Sequence, residues 1–154
     1  TWTAPTVAGV TGTAAGTNAT TFASGTLVNT TNSAKQVVYT VTPKAGTCNG
    51  NPFTVTVNVN PKPAMTNGTG TICSGTAFSY TPTGTIVPTG TTYTWSAPTV
   101  TGVTGIAAGT NATTFASGTL CNTTNTAKTV TYTVTPKSGS CTGANLTITV
   151  TVKP

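Results

Sequence analysis

Four cysteines, Cys48, Cys73, Cys121 and Cys141, are the only side chains in this sequence that combine nucleophilic, redox and metal-binding potential. As thiolates they could hold zinc, but no two stand in a CxxC pair, the spacing that structural zinc sites favour. In an oxidising compartment they could form disulfides instead. The sequence has no Asp, Glu, His or Arg, and six lysines carry all the side-chain charge, for a net +6 at neutral pH. General acid–base catalysis needs a group that titrates near neutrality, normally His or a perturbed carboxylate. The paired carboxylates of glycosidases, the anions that bind calcium and the His/Asp/Glu ligands of catalytic metals are missing too. The composition argues against an enzyme and against a metal or cofactor.

Lysine, tyrosine, cysteine and the termini are the only titrating groups, so the charge should stay near +6 from mildly acidic to neutral pH. Acid denaturation acts mainly by protonating paired carboxylates, and without them the chain is expected to tolerate acid. Lys35, Lys44, Lys62, Lys128, Lys137 and Lys153 are scattered, with no arginine and no basic run. That pattern is what solvated surface lysines give; it offers weak attraction to acidic polysaccharide and argues against nucleic acid.

These residues sit in a duplicated framework. TWTAPTVAGVTGTAAGTNATTFASGTL, from Thr1, returns as TWSAPTVTGVTGIAAGTNATTFASGTL, from Thr94, 93 positions later. The correspondence runs without a gap to Pro61 and Pro154. A period this long suits a small domain rather than a solenoid turn. Residues 62–154 make one complete repeat, and 1–61 are the C-terminal two thirds of another, without a counterpart of Lys62–Tyr93. The window is expected to belong to a longer array. Pro61-Lys62-Pro63 and the polar stretch after it mark a linker at about residues 61–68, where proline ends a strand and spaces the domains end to end.

Within the repeat, Val130, Tyr132 and Val134 alternate with threonines, as do Leu146, Ile148, Val150 and Val152. Period-two patterning in β-favouring residues predicts strands with one buried and one wet face. The intervening PKSGSCTGA predicts a hairpin. Further strands are expected at AFSY, at TTYTW and from Phe115 to Leu120, with no helix of note. Short strands at such intervals predict an all-β fold of tandem immunoglobulin-like sandwiches. Trp2 and Trp95, Tyr39 and Tyr132, Phe22 and Phe115, and Phe53 and Leu146 are the core candidates. Trp95 reads as inter-sheet core rather than as a sugar platform.

Cys48 and Cys141 occupy the same hairpin tip in successive repeats, Cys73 lies early in the complete one, and Cys121 stands where the first repeat has Val28. One early and one late cysteine per repeat suggest a Cys73–Cys141 disulfide, with Cys48 paired outside these residues. A Cys73–Cys121 bridge and bridges between domains are alternatives, because a hairpin tip and the far end of a first strand lie at opposite poles of a sandwich. N-x-Thr sequons fall at Asn18, Asn29, Asn67, Asn111, Asn122 and Asn145, and matter only in a glycosylating host. Thr-x-Thr strands also raise ice binding, against which the twist of sandwich sheets argues.

TYTW with SAPTVTG, VTYTVTP, the Cys-Thr-Gly hairpin, LTITVTVKP and the opening ICSGTAFSYTPTG together resemble the PKD-like repeats of very large Bacteroidota surface proteins. The resemblance covers the whole chain and implies immunoglobulin-like sandwiches, export to the cell surface by the type IX route, and work in adhesion, gliding or stalk formation. PKD domains proper follow their tryptophan with an acidic Gly-Asp turn; here Trp2 and Trp95 are followed by (Thr/Ser)-Ala-Pro-Thr-Val, so no role of those acids carries over. The expected function is that of a non-enzymatic structural module of an extracellular fibre, stalk or adhesin, with a carbohydrate- or ice-binding surface as the alternative. The expected partners are identical repeats, joined end to end or by strand addition into the incomplete 1–61 repeat, and surface polysaccharide. Neither nucleic acid nor membrane insertion is expected.

Overall fold

A computed structural model describes every residue from Thr1 to Pro154. The chain forms two compact units, Thr1–Pro61 and Lys62–Pro154. Every regular element is a strand. The first unit contains β1 (Val10–Thr11), β2 (Val28–Asn29), β3 (Lys35–Val41), β4 (Lys44–Ala45), β5 (Cys48–Asn49) and β6 (Phe53–Val59). The second contains β7 (Ala64–Met65), β8 (Gly68–Cys73), β9 (Thr76–Tyr80), β10 (Gly84–Ile86), β11 (Thr92–Trp95), β12 (Val103–Thr104), β13 (Gly109–Ala112), β14 (Phe115–Asn122), β15 (Lys128–Ser138), β16 (Cys141–Thr142) and β17 (Leu146–Lys153).

The second unit has a main sheet in the order β13-β11-β15-β17-β8, with β16 closing the hairpin on β15, and a second sheet in the order β12-β14-β9. The alternating Val/Tyr/Leu/Ile residues of β15 and β17 turn inward and their threonines outward, because a strand's side chains change face at every step. β17 is antiparallel to β15 and parallel to β8, which runs beside it from Gly68 opposite Ile148 to Cys73 opposite Lys153. After the Ser74-Gly75 turn the chain passes to the other sheet, where β9 lies antiparallel to β14. The result is the all-β, immunoglobulin-like sandwich.

Its core is built around Trp95, Phe115 and Tyr132, whose successive ring centroids are 4.8 Å apart and inclined at 48° and 74°. Tilted aromatic pairs of this kind add about 0.5–1.5 kcal/mol each beyond their buried area. The first unit repeats the cluster with Trp2, Phe22 and Tyr39 at 5.0 and 4.9 Å. In both units the polar tips find backbone partners: Trp95 Nε1 donates to Ala107 O and Trp2 Nε1 to Ala14 O, while Tyr132 Oη donates to Ser117 O and Tyr39 Oη to Ser24 O.

Residues 64–68 are not a flexible joint. Ala64–Met65 pair with Gly84–Ile86, Thr66 N and Oγ1 both donate to Thr83 O, and Asn67 Oδ1 accepts from Thr147 N. A polar, Gly-containing sequence looked loose because its partners lie far along the chain.

Candidate functional site

Three features could engage something outside the fold: the cysteines, the outer threonine face and the flank of the first unit. None of the four cysteines is bonded to another. Cys73 stands opposite Lys153 at one end of β17, whereas Cys141 lies in the hairpin beyond Leu146 at the other. At about 3.3 Å per residue the strand separates them by more than ~20 Å, far beyond the ~7 Å Cα limit for a disulfide. The expected Cys73–Cys141 bridge within one repeat is therefore corrected. Cys121 lies at the same pole as Cys73, since Asn122 N donates to Ser74 Oγ at 2.9 Å. Yet Cys73 shares the outward face of β8 with Thr69 and Thr71, while Cys121 points away from the core side occupied by Leu120 and Asn122 on the opposite sheet. Cys48 is exposed in the equivalent hairpin of the first unit.

The outer face of the main sheet is a lattice of threonines in register. Thr131 is opposite Thr149, which is opposite Thr69; Thr129, Thr151 and Thr71 form the next row. Thr133–Thr147 and Thr94–Thr135 extend it. The first unit keeps this lattice only in part: Thr1, Thr40, Thr42, Thr54 and Thr56 remain, whereas Gln36, Val38 and Asn58 replace Thr129, Thr131 and Thr151, and Val38 is exposed.

The flank of the first unit differs most from its counterpart. In the second unit β8 and β9 cover β17 and β14, and Phe78 and Tyr80 lie over the inward faces of Gly70 and Gly68. A Cβ on Gly70 would meet the Phe78 ring at 2.2 Å, and one on Gly68 the Tyr80 ring at 2.6 Å. Ser117 Oγ accepts from Phe78 N at 2.9 Å, and Ser74 N and Gly75 N donate to Lys153 O and Leu120 O. Leu146, Ile148, Val150, Val152, Phe115 and Leu120 are consequently all buried. In the first unit β6 pairs only with β3. Val55, Val57, Val59, Phe22 and Leu27 are half-buried, and Phe53 is 52 % exposed where Leu146 is 2 % exposed. Phe53, expected in the core, thus lies on the surface, because no strand stands beside β6. A cleft of about 570 Å³ opens at the Phe53 end of the unit, lined by Trp2, Phe22, Val41, Pro43 and Phe53 among others.

The other singled-out aromatics are placed as follows. Trp2 and Trp95 are buried, Tyr39, Tyr132 and Phe115 almost completely so, and Phe22 is half-buried. Burial raises the phenols of Tyr39 and Tyr93 above their usual range and pushes Tyr132 up to about 12. A raised pKa takes these three phenols further from proton transfer near neutrality.

Sequence reasoning missed Asn29 and Asn122. Both were read only as sequons, yet both are buried and act as staples. Asn122 Nδ2 donates to Thr126 O and Val152 O, and its Oδ1 accepts from Thr124 N and Oγ1. Asn29 makes the same four bonds to Ser33 O, Val59 O and Thr31. With Nδ2 so engaged, neither is a glycan acceptor in the folded chain. The available signal was the N-T-T-N turn recurring just before each long strand.

A family model described as a PKD-like domain matches residues 1–63 and again 70–154. No curated protein and no solved structure matches the chain.

Proposed function

Because this chain belongs to the PKD-like domain family, a family of immunoglobulin-like, generally non-catalytic and typically extracellular modules, we propose that its repeats are structural segments of an extracellular fibre, stalk or adhesin. The observation that carries this reading is what the two repeats share. Trp2 and Trp95, Tyr39 and Tyr132, Asn29 and Asn122, and their hydrogen-bond partners are the same in both units and lie in the interior. The outward threonine lattice is altered from one unit to the next. A module maintained for its framework keeps its interior; one maintained for a repeated ligand surface keeps its exterior.

Adhesion to surface polysaccharide through a few lysines fits the same framework, as does export by the type IX route to a Bacteroidota-type cell surface, which the TYTW, VTYTVTP and LTITVTVKP motifs support. No helix of the chain is long and apolar enough to cross a membrane.

The test is a glycan-array and ice-affinity measurement on the whole chain. Absence of saturable binding is the expected outcome. Specific binding abolished by Thr131→Val and Thr149→Val would overturn the framework reading in favour of a ligand-binding lattice, which the in-register threonine rows of the second unit make the one alternative worth testing.

A further inference from the structure

We propose that the six lysines guard strand pairing: they permit the native ladders of β3, β6, β15 and β17, and stop the same strands from stacking on their own equivalents before the fold has closed. The need is written in the strands. Residues 36–42 read QVVYTVT, 129–135 TVTYTVT, 53–59 FTVTVNV and 146–152 LTITVTV. Each is a seven-residue run of β-favouring residues with no charge, glycine or proline. Such runs stack in register into cross-β sheets when exposed. Duplication adds to the hazard, because each run meets a near-copy of itself in the same chain, and pairing between repeats is a recurrent misfolding route.

The lysines stand where this hazard is. Lys35 opens β3 and Lys44 lies three residues past its end; Lys128 opens β15 and Lys137 is its penultimate residue. Lys153 closes β17, and Lys62 lies three residues past the end of β6. A proline adjoins four of them, at Pro43, Pro136, Pro61 and Pro154. β14 is as long as β17, yet it has no lysine at either end; its run is broken by Gly118. β8, with Gly68 and Gly70, has none either. Lysine thus follows the strands of seven or more residues that lack glycine. Charged residues flanking such strands are a common defence against aggregation. With no Asp or Glu side chain in the sequence, no ion pair to one accounts for them.

Strand register shows how they discriminate. In the native ladders every paired lysine faces a neutral residue. Lys35 is opposite Val59, Lys128 opposite Val152, Lys44 opposite Asn49 and Lys153 opposite Cys73, while Lys137 lies between Thr92 and Thr142. A parallel, in-register stack of β3 on β15 reverses this. Lys35 then falls on Lys128 and Lys44 on Lys137, since both pairs are 93 positions apart. Two copies of β15 would likewise set Lys128 on Lys128 and Lys137 on Lys137. Adjacent strands are ~4.8 Å apart, like charges directly opposite destabilise a pair, and each contact carries a bias of roughly fivefold even in water. The inference does not rest on the proposed fibre role.

The experiment refolds the whole chain from denaturant over a concentration series, read by light scattering and by the monomer recovered on size exclusion. With Lys35, Lys44, Lys128 and Lys137 all changed to Gln, half the chain should aggregate at a concentration at least about fivefold below that of the wild type. A second variant carries the same four changes plus Thr6→Lys, Thr20→Lys, Thr89→Lys and Thr101→Lys, at exposed positions away from these runs, which restores the net +6. It should aggregate like the first. In about 1 M salt, where the screening length falls to about 3 Å, the wild type should lose its advantage. Lys35 and Lys128 are half-buried, so Lys44→Gln with Lys137→Gln, both exposed, serves if the fourfold change prevents folding, and should move the threshold the same way. An unchanged threshold in the Gln variants overturns the proposal. So does full rescue by the relocated lysines, which would make net charge, not position, the protective term.

Discussion

β6 and β17 are nearly the same strand in two settings. FTVTVNV and LTITVTV sit in matching places, each paired antiparallel to a long Val/Tyr strand, with Asn29 or Asn122 fastened to the carbonyl at the far end. One has a parallel neighbour and is sealed; the other has a free edge and half-buried valines. Alternation therefore decides which side chains face inward, but burial is completed only by a strand from a distant part of the sequence. A face and a core are different achievements.

The largest test of that contrast is truncation at one matched position. Leu146→Ala removes a buried side chain and should destabilise its unit by about 2–5 kcal/mol. Phe53→Ala acts at an exposed residue and should cost under about 1 kcal/mol. Denaturant titration with probes specific to each unit reads both, and equal losses would mean that the first unit's flank is filled in solution.

The asparagine staples should break the contrast. Both make the same four hydrogen bonds, so Asn122→Ala and Asn29→Ala should each cost about 2 kcal/mol or more, taking the lower end of a net contribution of roughly 0.5–1.5 kcal/mol per bond. The same titrations check this. A large loss for one and none for the other would show that the loop bonds depend on the covering strands.

Alkali should separate the units again, by a smaller amount. Tyr132 is pushed up from 10 to about 12 by burial. Ionisation is then easier in the unfolded chain, so this contribution to stability is complete below pH 10 and is lost as the pH rises toward 12. It amounts to at most about 3 kcal/mol. Burial shifts Tyr39 in the same direction, so its unit should also lose stability once the pH rises above 10. Denaturation at pH 9 and 11.5 measures the loss, and Tyr132→Phe should flatten the second unit's response. Below neutrality no side-chain carboxylate or imidazole exists to be protonated, so far-UV circular dichroism should show no cooperative unfolding between pH 5 and 2.

The smallest signal is a thiol count. With Cys73 and Cys141 at opposite poles and Cys73 and Cys121 on opposite outer faces, non-reducing peptide mapping of the monomer should find no disulfide within one unit. Recovery of either pair would mean that the strand register of β8 differs from the one described.

What could be read locally was read well. The period-two runs around Tyr132 and Ile148 gave the all-β class, and Gly and Pro clusters gave the turns between strands. The misreadings all involve partners far apart in sequence. Gly68 looked like a linker residue, whereas its missing side chain makes room for Tyr80, as that of Gly70 does for Phe78. Asn122 looked like a surface sequon, but its amide reaches Val152 O across the repeat. The cysteine pairing suggested by order along the repeat failed because a parallel β8–β17 pair puts the early cysteine at the strand's far end.

That parallel pair also governs how the domain answers to tension. Once the short β7–β10 pair has given way, traction on Lys62 and Pro154 pulls β8 and β17 along their lengths in opposite directions, from opposite poles of the sandwich. The bonds linking Gly68–Cys73 to Ile148–Lys153 lie across the direction of pull and are strained together instead of parting one after another. Such a joint resists sliding until it fails all at once, and a thread made of these domains would hold its length under drag up to a sharp threshold.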